Sequence, residues 1–237
     1  MKVTMKTFND PRVLNIFSDA SVTHIGIEHI SCHGIYDPKN DYRSTTILRN
    51  STNNRGELMG VIDGILYAIT QRDKYTQINL WTDSSYSMKS ICEWFPAWYL
   101  RKRDGTLYTN AGKPLENQDL INCAVNLILD NNLRINILHQ RGHVIEKNNL
   151  KNAIMSFSIT NRIVNSTECM TIDQDAMQYA SVCNQIVDEF TRNNFMKTDL
   201  TQIPEYIWPI SPYFRPGLDL KRLLILTRKA GDLETPI

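Results

Sequence analysis

Three carboxylates stand where an apolar run gives way to polar chain. Asp19 closes Val13-Leu-Asn-Ile-Phe-Ser-Asp19, Asp83 closes Ile78-Asn-Leu-Trp-Thr-Asp83, and Glu57 lies one residue before an apolar stripe. A carboxylate held without a partner near a core loses several kcal/mol of solvation, so acids in such places are usually paired, hydrogen-bonded or bound to a metal. Taken singly, each has a plainer reading: Asp19 as a strand-end turn residue, Asp83 as a helix cap, and Glu57 as a first-turn acid favoured by the helix dipole. The choice between these readings comes from sequence context.

That context is specific. Ser18-Asp19-Ala20-Ser21, Thr52-Asn53-Asn54-Arg55-Gly56-Glu57-Leu58 and Thr82-Asp83-Ser84-Ser85-Tyr86 are followed by Trp94, Trp98, Arg101-Lys102-Arg103, Gly112-Lys113-Pro114, Asn117, Asp119-Leu120 and Arg141-Gly142-His143. In order and approximate spacing this series resembles the type 1 ribonucleases H. The resemblance implies an α/β fold, a ribonuclease H-like mixed five-stranded sheet with helices on both faces. It implies an endonuclease that hydrolyses the RNA strand of RNA–DNA hybrids with two Mg²⁺ ions, for which Mn²⁺ could substitute. Asp19, Glu57 and Asp83 would then be metal ligands with catalytic roles, and His143 would assist proton transfer or product release. Asn53, Asn54 and Ser85 would meet the hybrid, the two asparagines reading 2′-hydroxyls in the wide minor groove. Trp94, Trp98, Arg101, Lys102 and Arg103, with Lys89 and Lys113 nearby, resemble a basic protrusion that grips the DNA strand. The competing reading makes both tryptophans core residues at i and i+4 and the basic run a solvated face.

The family pattern needs a fourth carboxylate soon after the loop histidine, close to Asn-x-x-x-Asp. Asn148-Asn149-Leu150-Lys151-Asn152 has the usual distance from His143 but offers Asn152 at the acid's place. Asn184-Gln185-Ile186-Val187-Asp188, with Arg192 following, carries the pattern farther along. Asp188 is therefore expected as the fourth metal ligand, because an insertion after His143 costs only a logarithmic loop-closure entropy. Repulsion among four acids would raise their pKa values in the absence of metal.

The elements that must position these residues are legible as patterns. Val13 to Asp19, Gly26 to Tyr36 and Arg43 to Arg49 read as three strands, a meander. Leu58, Val61, Ile62, Ile65, Leu66 and Ile69 recur with helical period and predict one amphipathic helix. Ile78 to Asp83 reads as a strand, Ser84 to Trp94 and Asp119 to Leu129 as helices, and Arg134 to His139 as a fifth strand. Gly142 to about Thr171, rich in Asn, Ser and Thr, reads as a long loop or insertion, and Asp173 to Phe195 as a helix.

The 237 residues accordingly divide into a catalytic domain over 1–196, with the insertion at about 144–171, and a Pro/aromatic-rich extension over 197–237 that is too apolar for a solvated tail and would dock on the domain or on a protein partner. A formal charge of +1 makes any nucleic-acid surface a matter of local clustering. The five cysteines form no CxxC pair, which argues against a zinc ribbon or a disulfide framework. With no run of roughly 18 apolar residues and no apolar centre in MKVTMKTFNDPRV, no membrane partner and a cytoplasmic location are expected. The RNA–DNA hybrid is the expected partner, and oligomeric state stays open. Two other readings share the scaffold: a different nuclease of this fold, and a non-cleaving hybrid-binding or interaction protein with neutral Asn152 at the ligand position.

Overall fold

The computed structural model describes residues 2–49, 51–156, 158–161 and 171–197. In chain order these form β1 (Lys2–Val3), α1 (Met5–Asn9), β2 (Val13–Ile25), β3 (Glu28–Asp37), β4 (Tyr42–Arg49), α2 (Asn53–Gln71), β5 (Gln77–Thr82) and α3 (Ser85–Lys89). A π-helical turn (Ser90–Trp94) leads into α4 (Phe95–Leu100), followed by α5 (Gln118–Asp130), β6 (Ile135–His139), α6 (Leu150–Ser156), β7 (Ser158–Asn161), β8 (Thr171–Ile172) and α7 (Gln174–Lys197).

The main sheet has the order β4-β3-β2-β5-β6-β7. Strands β2, β3 and β4 form an antiparallel meander, β5 pairs parallel with β2, and β6 pairs parallel with β5. This is the expected mixed five-stranded sheet with helices on both faces, extended by the short antiparallel edge strand β7. A strand covered on both faces must be apolar at consecutive positions, which is why the β2 and β5 runs show no polar alternation. Successive side chains feed opposite cores. Leu14, Ile16, Leu80 and Ile137 pack under α2 and α5, while Phe17, Trp81 and Leu138 pack under α1, α6 and α7.

Helix α2 is seated by glycine. Gly56, Gly60 and Gly64 recur every fourth residue on the face toward the sheet, and a Cβ at Gly60 would lie 3.2 Å from the Asp19 carbonyl oxygen. The missing side chains let the helix axis approach β2 at Asp19.

Three expectations are corrected. The strand bearing Asp19 continues to Ile25 in a hairpin with β3, and only its parallel ladder with β5 stops, at Ser18↔Thr82. The helix predicted to end at Trp94 goes on through the π turn to Leu100, because Pro96 falls in the first turn of α4, where its missing N–H has no intrahelical duty. The segment after Gly142 is more than a loop: it contains α6 and β7, whose backbone groups are satisfied by a helix and by the edge of β6. Residues 198–237, which hold nearly all of the expected extension, lie outside the described residues. Cys32, Cys92, Cys123 and Cys183 are buried free thiols. No helix among the described residues is long and apolar enough to cross a membrane.

Candidate functional site

Asp19, Glu57 and Asp83 converge. One carboxylate oxygen from each lies within 4.8 Å of the others, Asp19 from β2, Glu57 from the first turn of α2 and Asp83 just beyond β5. Asp19 and Glu57 are buried and Asp83 half-buried. Thr52 caps α2 by accepting from the Arg55 N–H, and the Arg55 side chain ties that turn to Asp119 at 2.7 Å and to Asn117. Glu57 is thus carried into the core by the helix rather than left in solvent. Asp83 follows the Thr82 hydroxyl, which accepts from the Ser84 N–H, and its carbonyl is bonded by the His139 ring at 3.1 Å. Gly142 lies against the Asp83 carboxylate so closely that a Cβ there would overlap it.

The fourth acid arrives from α7. Asp188 is buried, and its negative charge raises the pKa of both Asp19 and Asp83. Asn184, one turn earlier and also buried, hydrogen-bonds the Asp83 carboxyl. Helix α7 reaches this position because Gly34 on β3 has no side chain: a Cβ there would stand 2.8 Å from the Phe190 ring and from the Ser44 carbonyl oxygen. Ser21 and Thr191 hydroxyls meet at 3.2 Å, and Gln140 donates to the Ala180 carbonyl, fixing the helix along β2 and β6. Asn152 is exposed on α6.

The electrostatics follow from burial. Loss of water raises Asp19 and Glu57 well above the usual carboxylate range, and the neighbouring charges raise them further. Asp83 is pushed up to about 6, mainly by burial, with Asp188 adding and His143 and Asn184 opposing. Asp188 is raised by burial against the opposing charges of Arg192 and His143. Repulsion, the expected cause, is second to desolvation for Asp19 and Glu57.

Two further groups flank Asp188. Exposed His143, in the left-handed backbone region at φ 54°, places Nδ1 3.7 Å from the Asp188 carboxylate and 3.2 Å from that of Glu146. Arg192 bonds Asp188 and lies 3.9 Å from Glu146. Glu146, Gly34 and Gly60 escaped the sequence reading. The spacing of Glu146, three residues from His143, was the available signal for the first; the glycines gave none until the packing partners were known.

The donor set fits a hard divalent cation. All three clustered ligand atoms are carboxylate oxygens, and Glu57 Oε2 is buried without a hydrogen-bond partner, a cost that a cation would remove.

The expected substrate contacts divide. Asn53, Asn54 and Ser85 are exposed at the starts of α2 and α3, on the side of the acids. Trp94 is 39% exposed, whereas Trp98 is a core residue at 9%, the two rings edge to face at 5.6 Å. The expectation that both tryptophans face the substrate is corrected for Trp98, which is buried, and of the two only Trp94 is open to solvent. The π turn adds one residue to the helical turn before Trp94, and Lys89 sits over its ring. Arg101 and Arg103 are exposed at a hairpin-like loop closed by the Arg103↔Thr106 bridge, and Lys102 is partly buried over the Tyr99 ring.

Comparison with known proteins gives a consistent picture. The RNase H family model matches residues 11–154. A ribonuclease H of Schizosaccharomyces pombe is 29% identical over 119 residues, 49% of this chain and 40% of that protein. Ribonucleases H of Marinobacter nauticus and of Cyanothece are 43% identical over 70 residues and 38% over 93 residues, covering 42% and 54% of those proteins. The chain spans about half the length of the curated relatives it matches. The solution structure of the PFV RNase H domain aligns at 18% identity with a TM-score of 0.46, over 59% of this chain and 88% of that domain.

Proposed function

Because this chain belongs to the RNase H family, we propose that it hydrolyses the RNA strand of RNA–DNA hybrids as a divalent-metal-dependent endonuclease. The observation that carries the reading is the convergence of Asp19, Glu57 and Asp83 within 4.8 Å, with buried Asp188 alongside. These four residues would hold two Mg²⁺ ions, or Mn²⁺ in their place. Bound cations would supply positive charge against the scissile phosphate that a carboxylate cluster cannot.

The chain's own residues supply the rest. Asn53 and Asn54 present amides that both donate and accept, as a 2′-hydroxyl requires, at the end of α2 that delivers Glu57. His143, exposed at the rim and within reach of Asp188, is placed to take or give a proton at the edge of the site. Trp94, Arg101, Lys102 and Arg103 offer an aromatic face and positive charge to a phosphate backbone. Asn184 and Gly142 hold the Asp83 carboxyl in place, the first by a hydrogen bond and the second by leaving it room.

The test is cleavage of a hybrid, a double-stranded RNA and a double-stranded DNA, each with Mg²⁺ and with chelator. Metal-dependent cutting confined to the RNA strand of the hybrid, and lost in Asp19→Asn with the fold intact, is the expected result. Cutting of duplex DNA would make this a different nuclease of the fold, and hybrid binding without cleavage would make it a binding protein.

A further inference from the structure

A cavity lies away from the carboxylates, at the start of β2. Phe8, Asn9, Asn15, Pro38, Lys39 and Tyr179 line a space of about 270 Å³, just below the roughly 300–1,000 Å³ of pockets for drug-sized ligands and so suited to a smaller molecule. Its walls are flat and apolar: the Phe8 and Tyr179 rings stand 4.8 Å apart, and Pro38 completes the rim.

Two of its polar side chains, Asn15 and Lys39, present donors. Asn15 is 3% exposed, and its side-chain oxygen accepts from the Asn79 amide at 2.9 Å and from the Trp81 indole N–H at 3.1 Å. An indole N–H can only donate, so the atom facing Trp81 must be the oxygen, and the amide orientation is not free. The Asn15 NH₂ is left with no partner among the described residues, on a wall of the cavity. That NH₂ stays reachable from the cavity, where an acceptor from outside can bond it. Lys39 adds charge. Its ammonium donates to the Asp10 and Val13 carbonyl oxygens, which anchors it at the mouth, and an ammonium has a third N–H to give. The Tyr179 hydroxyl, engaged with Cys183, does not compete. The Asn15 NH₂ and the Lys39 ammonium, its charge partly offset by Asp10 and Asp37, favour an anion, and Asn9 beside them can donate or accept. The aromatic walls favour a flat body behind the anionic head.

We propose that this cavity is a second binding site, separate from the carboxylate cluster, for a small organic anion whose carboxylate or phosphate head is held by Asn15 and Lys39 and whose planar body lies against Phe8 and Tyr179. The site owes nothing to the nuclease reading and stands or falls independently of it.

The experiment titrates benzoate, uridine 5′-monophosphate and inorganic phosphate separately into the whole metal-free chain, with binding followed by calorimetry and by the NMR signals of the Asn15 side-chain NH₂. Saturable binding of a ring-bearing anion that shifts those signals is expected, with benzoate alone or the nucleotide alone identifying the head group. Lys39→Met should weaken that binding about tenfold, the weight of one charge-assisted contact. Asn15→Asp keeps an acceptor for Trp81 but replaces the donor by a negative charge, and should abolish binding. Hybrid cleavage should be unchanged in Lys39→Met. No shift of the Asn15 signals by any of the three at concentrations up to about 10 mM, where even weak sites fill, would overturn the proposal. So would binding that neither variant alters, or inorganic phosphate binding as tightly as both ring-bearing anions.

Discussion

Gly34 on β3 and Phe190 on α7 are in contact through the absence of a side chain: a Cβ on Gly34 would stand 2.8 Å from the ring. That contact bears on how closely α7 lies on the sheet, and hence on where Asp188, half a turn before Phe190, stands relative to the other three acids, which its charge reaches. Gly34→Ala should push α7 outward. Overpacking of this kind costs about 1–3 kcal/mol. Cleavage should fall by more than the loss of folded protein explains, a separation that denaturation curves and single-turnover rates measured on one preparation will reveal. Unchanged activity would mean that the position of α7 does not limit the site.

Asp188→Asn and Asn152→Asp should differ sharply. The first removes a charge from the buried cluster, and its cost should exceed the roughly 10–100-fold typical of groups that only orient a metal ligand. The second adds a charge on the exposed face of α6 and should neither raise nor restore cleavage. A gain from Asn152→Asp in the Asp188→Asn background would return the fourth ligand to the earlier position.

Without divalent metal, the acids should make the protein less stable as pH rises. Asp83 goes from an ordinary 3.8 to about 6 on folding, so between those values the folded state binds more protons than the unfolded one, and stability declines with pH across that window. Its contribution is complete below the unfolded value and gone above the folded one. Asp19 and Glu57, raised still more by burial, extend the decline upward. Thermal melts in chelator should therefore show Asp83→Asn gaining on the parent protein from about pH 4 to about pH 6. Mg²⁺ should erase the difference by stabilising the ionised cluster. A constant gap between the two proteins across the range would exclude a raised Asp83.

The basic loop should act through counterions. Replacing Arg101, Lys102 and Arg103 together by glutamine should weaken hybrid binding, and each cation withdrawn from a phosphate should lower the slope of log K against log salt by about 1. Trp94→Ala should weaken binding with the slope unchanged, because an aromatic face releases no counterion. Trp98→Ala, by contrast, removes a core side chain and should cost about 3–5 kcal/mol of stability. Equal slopes in the triple variant and the parent would make the loop a solvated face.

Much of this architecture is local and could be read along the chain. Burial on both faces writes itself into β2 and β5 as unbroken apolar runs, and one-sided burial writes itself into α2 as a helical stripe. The acids Asp19, Glu57 and Asp83 were found the same way, because each stands at the edge of such a run within a motif of fixed local spacing. Proximity between distant segments leaves no such trace. Whether Asn152 or Asp188 lies beside Asp83 depends on the path of the chain after Gly142, which loop-closure entropy barely constrains. Packing decided it: Gly34 admits Phe190, Gly142 admits Asp83, and Gly60 of α2 admits the backbone of Asp19. The two tryptophans make the same point, since their spacing on the helix is compatible with either surface, and only the cluster around Trp98 assigns it to the core and leaves Trp94 in solvent. The raised acidity constants likewise belong to the folded molecule alone, because desolvation, their largest cause, exists only once the sheet and its helices have closed over the carboxyls.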